Sequence, residues 1–244
     1  MRVPDARTYL RSRCRPVHRT EQKGADALMS TDLERTELVV RTIAETAVEN
    51  ESYFCALDSV VGDGDFGYSL ARGFEKVLEQ WDDLDRTDSG VFLQKVAMVI
   101  SSRMGGTSGP IWGTAFLRAA AVAKGREDLG GAGMVEMLRA AIEGIKKRGG
   151  AEVGEKTLLD ALVPMTDAME ALVDDGTAAQ GVLDGAATAA RRAAEATSAL
   201  IARRGRASYS GERSIGSPDA GALAVAVLVE QIAARWQDGA ASSA

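Results

Sequence analysis

Apolar residues recur along this chain at the three- and four-residue spacing of amphipathic helices, and the alternating runs typical of strands are scarce. Thr31–Glu34 fits a helix capping box, and apolar positions continue behind it at mostly helical spacing to about residue 53. Seven further helix-length blocks are predicted at residues 67–81, 89–103, 108–124, 133–148, 156–175, 178–203 and 218–236. The pattern therefore predicts an all-α protein of eight helices.

The joints between these blocks are glycine-rich or polar, and most of them are short. Short connections are typical of antiparallel neighbours in a helical bundle. No linker is long enough to divide the chain, so we expect a single domain of eight antiparallel helices over residues 30–238. The alanine-rich stretch Val182–Arg203 is expected to pack closely against its neighbours, because small side chains let helix axes approach.

The first 29 residues differ from the rest, since they carry six arginines and little apolar periodicity. We predict that residues 1–29 form a disordered extension; a transit peptide and an upstream start codon chosen in place of Met29 are the alternatives. The only histidine, His18, lies in this segment. Histidine base chemistry and histidine metal sites are therefore not expected in the folded body.

Composition narrows the functional classes. The 244-residue chain is 45% hydrophobic with a net charge of -6, which predicts a globular protein and argues against nucleic acid or anionic membranes as partners. No apolar run reaches the roughly 18 residues that a membrane span requires. Cys14 and Cys55 form neither a disulfide framework nor a metal-binding spacing, which suits a reducing cytoplasm.

The joint after the first block, Leu57–Gly67, places the carboxylates of Asp58, Asp63 and Asp65 within eight residues. Like charges this close repel, and oxygen ligands without His or Cys favour a hard cation such as magnesium or calcium. Taken alone, the joint is equally consistent with a solvated acidic turn. The ligand pattern of an EF-hand is absent, and no strand precedes the glycines, as a dinucleotide-binding turn requires.

Three further joints carry groups that suit phosphate. Met104–Pro110 puts glycines and hydroxyls at a helix start, where free N–H groups attract anions, although an ordinary N-cap has the same pattern. Arg148–Thr157 resembles a P-loop, but Glu155 interrupts the motif and no strand precedes it, so an inter-helix loop is the simpler interpretation. Gly205–Gly221 offers two arginines, several hydroxyls and Asp219 at a predicted helix N-cap.

Taken in order, these joints closely resemble the L subunit of dihydroxyacetone kinase over residues 30–236. The resemblance implies a barrel of eight antiparallel helices with a nucleotide at one end. The shared motifs are an aspartate followed by Gly-Asp-Gly-Asp-x-Gly (Asp58–Gly67), Met-Gly-Gly-x-Ser-Gly-Pro (Met104–Pro110), Gly-Glu-Lys-Thr (Gly154–Thr157), Gly-Arg-Ala-Ser-Tyr-x-Gly-Glu-Arg-Ser-Ile-Gly (Gly205–Gly216) and Asp-x-Gly (Asp219–Gly221).

By that resemblance, Asp58, Asp63 and Asp65 hold two Mg²⁺ ions that bridge to the phosphates of ADP or ATP. It assigns no catalytic residue to this chain, because the base for the acceptor would come from a partner. The residues that it implies in nucleotide binding are Phe66, Gly67, Tyr68, Ser69, Thr107, Ser108, Gly149, Leu158, Arg206, Asp219, Ala220 and Gly221.

The resemblance also implies partners. A separate K subunit binds the triose or a related ketose covalently through a histidine, and the L subunit delivers the phosphoryl group. Because the chain is not fused to a K domain, the expected donor is a phosphotransferase-system M subunit that rephosphorylates bound ADP. Consumption of exchanging ATP by a triose or tetrose kinase is the alternative.

Departures from the family pattern leave the acceptor sugar open. Phe66 stands where histidine is frequent, and Ser217-Pro218 and Ala220 replace a common His-Gln and Pro. Two other classes stay open: a regulatory module that binds a transcription regulator, and a helical scaffold with a spent nucleotide site. A homodimer is also left open.

Overall fold

The structure is a computed structural model that describes the backbone of residues 31–241 and the side chains as far as Trp236. The extension predicted over residues 1–29 lies outside the described residues. In the described part the α-helices are α1 (Asp32–Glu49), α2 (Glu51–Asp58), α3 (Phe66–Glu79), α4 (Ser89–Arg103), α5 (Ser108–Ala123), α6 (Gly130–Gly149), α7 (Leu159–Asp174), α8 (Ala179–Ala196) and α9 (Ala220–Ala241).

The all-α prediction is confirmed, since residues 31–241 contain helices and no strand. The predicted capping box is present, with Thr31 and Glu34 bonding each other's backbone N–H groups at the start of α1. The first predicted block divides into α1 and α2 at Asn50, whose side-chain amide donates back to the Thr46 carbonyl. None of the helices described here is both long and apolar enough to cross a membrane.

Eight of these helices form a closed ring. From α3 onwards each helix packs against the next one along the chain, α1 packs against α3, and α9 returns to pack against α1. The short α2 packs on α3. The ring is the barrel of eight helices that the family resemblance implies.

Neighbouring helices in such a ring run in opposite directions, so alternate connections lie at the same end. We call the end with connections 58–66, 103–108, 149–159 and 196–220 the motif end, because every chemical motif of the sequence falls there. The other end is the far end. There, Leu129 N–H donates to Asp32 Oδ2 (2.6 Å) and the Thr36 hydroxyl donates to Ser89 Oγ (3.2 Å).

Two large apolar clusters and a smaller one around Ile142, Ile145 and Leu159 fill the barrel in the described residues. The largest one holds the aromatic side chains, including Phe74, which meets Trp112 and Phe116 edge-on at centroid distances of 6.2 and 6.1 Å. The second lies mainly between α7, α8 and α9 and consists largely of small residues. The close packing expected of the alanine-rich stretch is confirmed, because Ala186, Ala190 and Ala194 are fully buried there.

Two helix boundaries differ from the prediction at the motif end. The block predicted over 178–203 ends at Ala196, followed by a 3₁₀ turn at Thr197–Ala199. The block predicted over 156–175 begins only at Leu159. The predicted loop 205–221 contains 3₁₀ turns over Arg206–Ser214 with a break at Gly211. Side-chain and backbone contacts between these segments set the two helix boundaries.

Candidate functional site

The acidic joint forms a compact loop between α2 and α3. Carboxylate oxygens of Asp58, Asp63 and Asp65 lie within 4.8 Å of one another, with Asp63 and Asp65 exposed and Asp58 partly buried. Asp58 fixes the loop, because its Oδ2 accepts hydrogen bonds from the backbone N–H of Gly64 (2.9 Å) and Phe66 (3.3 Å). Three converging carboxylate oxygens without His or Cys fit a hard divalent cation.

Two glycines allow this loop to close. A Cβ at Gly62 would overlap the Asp58 carboxylate. A Cβ at Gly67 would overlap the carbonyl oxygen of Glu51 and the backbone nitrogen of Cys55, where α3 meets α2. Both positions therefore require glycine for close approach rather than for backbone flexibility.

Arg206 brings positive charge to the acidic cluster. Its guanidinium forms an ion pair with Asp63 and lies 3.3 Å from Asp65 Oδ2. The neighbouring Ser210 hydroxyl donates to the Val61 carbonyl (3.0 Å). The long connection between α8 and α9 thus lies directly against the acidic loop, and its arginine offsets part of the negative charge of the three carboxylates.

The first turn of α3 presents the next predicted residues in different directions. The Phe66 ring packs towards Phe54, with 6.1 Å between centroids. Tyr68 is exposed and lies under the Arg72 guanidinium, 5.1 Å from the ring centroid, and its backbone N–H donates to Cys55 Sγ (3.2 Å). Ser69 is buried. At position 66, where the family often has histidine, this chain therefore has a phenylalanine whose ring packs against α2.

The start of α5 lies beside α3. A Cβ built on Gly105 would be 3.5 Å from the Ser69 hydroxyl oxygen. Thr107 precedes the helix, Ser108 begins it, and no side chain in this described region caps it with a hydrogen bond. Gly149, at the end of α6, faces Ile111 in the first turn of α5. Backbone N–H groups at an uncapped helix start are suited to bind an anion.

A second group of predicted residues lies where α7 and α9 begin. Gly221 packs on Leu158, since an added Cβ would be 3.3 Å from Leu158 Cβ. Ala220 is the first residue of α9, and Asp219 caps this helix by accepting from the Ala222 N–H (2.7 Å). The Asp219 N–H in turn donates to the Thr197 hydroxyl (2.8 Å). All of the residues predicted from the motifs thus lie at the motif end, and their roles in binding stay predictions.

The carboxyl group of Asp219 has an unusually high pKa for a residue that caps a helix. Burial raises the pKa of its carboxyl from 3.8 to about 7, and the nearby Asp160 carboxylate acts in the same direction. The Ala222 N–H and the Lys156 ammonium lower the pKa and only partly offset burial. The folded protein therefore holds a proton on Asp219 at pH values where the unfolded chain has released it.

This proton makes stability depend on pH. Between about pH 4 and pH 7 the free energy of unfolding is expected to fall as pH rises, because only the folded state keeps the proton. Asp219→Asn should remove this pH dependence. We expect the total change in the free energy of unfolding over this range to be about 1–2 kcal/mol, because the side chain is partly accessible. Urea unfolding at several pH values measures it, with exposed Asp175→Asn as the control. Parallel curves for wild type and Asp219→Asn would contradict the pKa.

One residue at this end was not singled out by the sequence. Lys156 was expected only to open the helix after a loop, yet it is 2% exposed and its Nζ donates to three backbone carbonyls. A lysine beside glycines resembles a phosphate ligand, but backbone carbonyls take all of its donors here. Its place within the four-residue motif Gly154–Thr157 was the only sequence signal for a special role. The role itself could not be predicted, because the acceptors lie 44 to 61 residues away in sequence.

Comparisons with known proteins agree with the geometry. The DAK2 domain family model matches residues 60–234, beginning two residues after Asp58. The ADP-binding subunit DhaL of the PEP-dependent dihydroxyacetone kinase of Escherichia coli is 36% identical over 203 residues, which is 82% of this chain and 97% of that protein. The corresponding subunit of the PTS-dependent enzyme of Lactococcus lactis is 36% identical over 77% of this chain and 90% of its own length.

Longer kinases match as well. The L-erythrulose 1-kinase of Mycolicibacterium smegmatis is 35% identical over 80% of this chain, which spans only 34% of that protein. The crystal structure of the dihydroxyacetone kinase from C. freundii in complex with AMP-PNP and Mg²⁺ superposes with a TM-score of 0.66 and 25% identity, covering 82% of this chain and 33% of that one. The chain is thus similar to both separate subunits and longer kinases, and it belongs to the DAK2-domain family as an L-type subunit of the dihydroxyacetone kinases.

Proposed function

We propose that this chain is the nucleotide-carrying subunit of a kinase that phosphorylates dihydroxyacetone or a related ketose in the cytoplasm. One observation carries the proposal: three carboxylates converge within 4.8 Å at the barrel end that also holds Arg206 and the start of α5. The relative with 36% identity over most of the chain is named for ADP binding, and a structural neighbour was solved with AMP-PNP and Mg²⁺.

In this proposal the chain's residues act by binding and by charge. Asp58, Asp63 and Asp65 ligate two magnesium ions, which would neutralise the phosphates and the charge that develops during transfer. Asp58 is held by two backbone N–H groups, so it is the fixed ligand of the set. Arg206 and the uncapped start of α5 supply positive charge and N–H donors for phosphate oxygens.

The adenine base of the nucleotide is assigned to Gly149 and to the second group of residues. Gly149 borders the start of α5, and Leu158 packs on Gly221, so these residues offer small and apolar surfaces beside the N–H donors. An adenine ring favours such a surface, because its faces are apolar. Ala220 and Asp219 complete the turn into α9.

The acceptor sugar is assigned to a partner. The single histidine, His18, lies far along the chain from every motif, and no described residue can form the histidine–ketose bond that the family uses. We infer that a K-type subunit holds the ketose and supplies the base, while this chain positions the phosphoryl group. The preferred donor is a phosphotransferase-system M subunit, because several relatives are named as PEP- or PTS-dependent.

Turnover with purified partners tests the proposal. The protein is mixed with a K-type subunit, dihydroxyacetone and ATP, first without and then with an M subunit, its phosphotransferase proteins and PEP. We expect at most one product molecule per nucleotide-binding subunit without M, and many with it. Many turnovers on ATP alone would identify an ATP-consuming kinase. Absence of magnesium-dependent ADP binding, measured by calorimetry, would overturn the proposal itself.

A further inference from the structure

Lys156 is a buried cation whose partners all belong to one segment of the chain. Its Nζ donates to the carbonyl oxygens of Leu200 (3.1 Å), Ser214 (2.5 Å) and Ser217 (2.7 Å). An ammonium has three N–H donors, so these carbonyls can satisfy all of them. We call residues 197–219, the connection between α8 and α9, the strap. The charge of Lys156 is thus committed to the strap and not to a phosphate.

The backbone around Lys156 is held in the conformation that points its side chain inward. Lys156 has φ +62°, the single positive φ among the non-glycine residues that the structure describes. Asp160 fixes the turn on both sides, because its carboxylate accepts from the N–H of Gly154 (2.5 Å) and of Thr157 (2.8 Å). A left-handed conformation is unfavourable for lysine, and such residues persist where surrounding contacts over-determine them.

The preceding residue holds the strap from the outside. The Glu155 carbonyl accepts from the Arg203 N–H (3.0 Å), and its carboxylate receives two hydrogen bonds from the Arg204 guanidinium (2.6 and 2.9 Å). Glu155 and Lys156 therefore bind different residues of the same segment. The exposed pair of Glu155 and Arg204 contributes little, whereas a buried charge must keep its partners.

Inside the strap, buried Ser214 continues the network. Its hydroxyl donates to the Gly211 carbonyl (2.6 Å) and accepts from the Ala202 N–H (2.9 Å). Burial lowers the pKa of Lys156, while the Asp219 carboxylate raises it. The strap thus folds around the ammonium of Lys156, which is bonded to three of its carbonyl groups.

Two parts of the strap contact the candidate site: the segment with Arg206 and Ser210, and the segment that ends at Asp219. Arg206 reaches the acidic cluster, and Ser210 bonds the Val61 carbonyl beside it. Asp219 leads into Gly221, which packs on Leu158, two residues after Lys156. The position of these groups relative to the acidic loop therefore depends on how the strap is folded.

We propose that Lys156 is a positioning residue for the nucleotide site, which acts by holding the strap in the conformation that brings Arg206 to the acidic cluster and Gly221 to Leu158. The inference deepens the proposed function and rests on it, since it concerns the same nucleotide. It differs from the P-loop use of lysine, because the ammonium orders protein backbone and does not touch phosphate.

The test compares Lys156→Met with Thr166→Val in the full chain. Methionine is unbranched and only one heavy atom shorter than lysine, and it removes the three donors. Thr166 is fully buried in α7, and its hydroxyl donates to the Leu162 carbonyl (2.8 Å), so Thr166→Val removes a buried hydrogen bond away from the strap. Hydrogen exchange of peptides covering 200–217 and calorimetric binding of magnesium–ADP are measured well below both melting temperatures.

For Lys156→Met we expect exchange in 200–217 to rise at least tenfold, exchange in α4 to stay as in wild type, and affinity for magnesium–ADP to fall at least tenfold. Thr166→Val should change neither quantity by more than twofold. Unchanged exchange or unchanged affinity in Lys156→Met would overturn the proposal. So would loss of the helical circular dichroism, because Lys156 would then determine the whole barrel. If wild type does not bind magnesium–ADP, the proposed function fails, while the exchange data still report on the strap.

Discussion

Replacing Asp63 with asparagine is expected to weaken binding of magnesium–ADP at least a hundredfold, which corresponds to about 2.7 kcal/mol. Asparagine keeps the size of the side chain and removes its charge. Since Asp63 supplies one of three carboxylate oxygens within 4.8 Å, the variant would leave two charged ligands for the cations. Calorimetry at fixed magnesium concentration measures the change.

Stability should hardly change in the same variant. Asp63 is exposed, and its ion pair with Arg206 lies at the surface, where such pairs contribute about 0–1 kcal/mol. Loss of that pair is offset by weaker repulsion among the remaining carboxylates. Asp82→Asn, an exposed change at the far end, is the matched control for net charge. Binding of magnesium–ADP within threefold of wild type in Asp63→Asn would show that the metal site lies elsewhere.

Gly67→Ala is expected to lower the free energy of unfolding by about 2–3 kcal/mol, because the added methyl group has no space. It would overlap backbone atoms of Glu51 and Cys55, which cannot rotate away as a side chain can. The start of α3 must then move off α2. Since Asp58 ends α2 and Asp65 precedes α3, the same movement separates the carboxylates.

Two measurements distinguish this coupling from simple destabilisation. Urea unfolding gives the free energy, and magnesium–ADP affinity at a temperature where the variant is fully folded should also fall, by at least tenfold. Gly131→Ala is the control, because its new methyl group would meet side-chain atoms of Val173 and no backbone atom, and the change would gain helix propensity. Equal stability of Gly67→Ala and wild type would mean that α2 and α3 are less tightly packed than described.

Local patterns predicted much of this fold. Helical spacing located eight of the nine described α-helices, since α2 was merged into the first block, and the capping box at Thr31 marked the start of α1 correctly. The gathering of the motifs at one end follows from alternation alone, because the motifs occupy every second connection of an antiparallel ring. The acidic cluster could be proposed from spacing, since Asp58, Asp63 and Asp65 are separated by few residues that include two glycines.

Features set by distant contacts could not be predicted. α8 ends at Ala196, although its sequence remains alanine-rich, because the following residues bond to Glu155 and Lys156. The raised pKa of Asp219 depends on burial and on Asp160, which is 59 residues earlier in sequence. In each case the sequence shows which residues are present, but the helix boundary or the pKa depends on contacts with residues of other helices and loops.

The alternation of connections also decides where the barrel joins other polypeptide. α1 begins at the far end, where Asp32 accepts from Leu129, and α9 finishes there, because its Ala233 carbonyl accepts from Gln180 in the first turn of α8. A domain joined directly to the start of α1 or to the end of α9 would therefore emerge about one helix length, roughly 27 Å, from the motif end. Its linker would need roughly eight extended residues to return along the barrel wall. A domain joined at the far end would thus reach the acidic cluster only through such a linker, so fusion alone would not bring it to the candidate site.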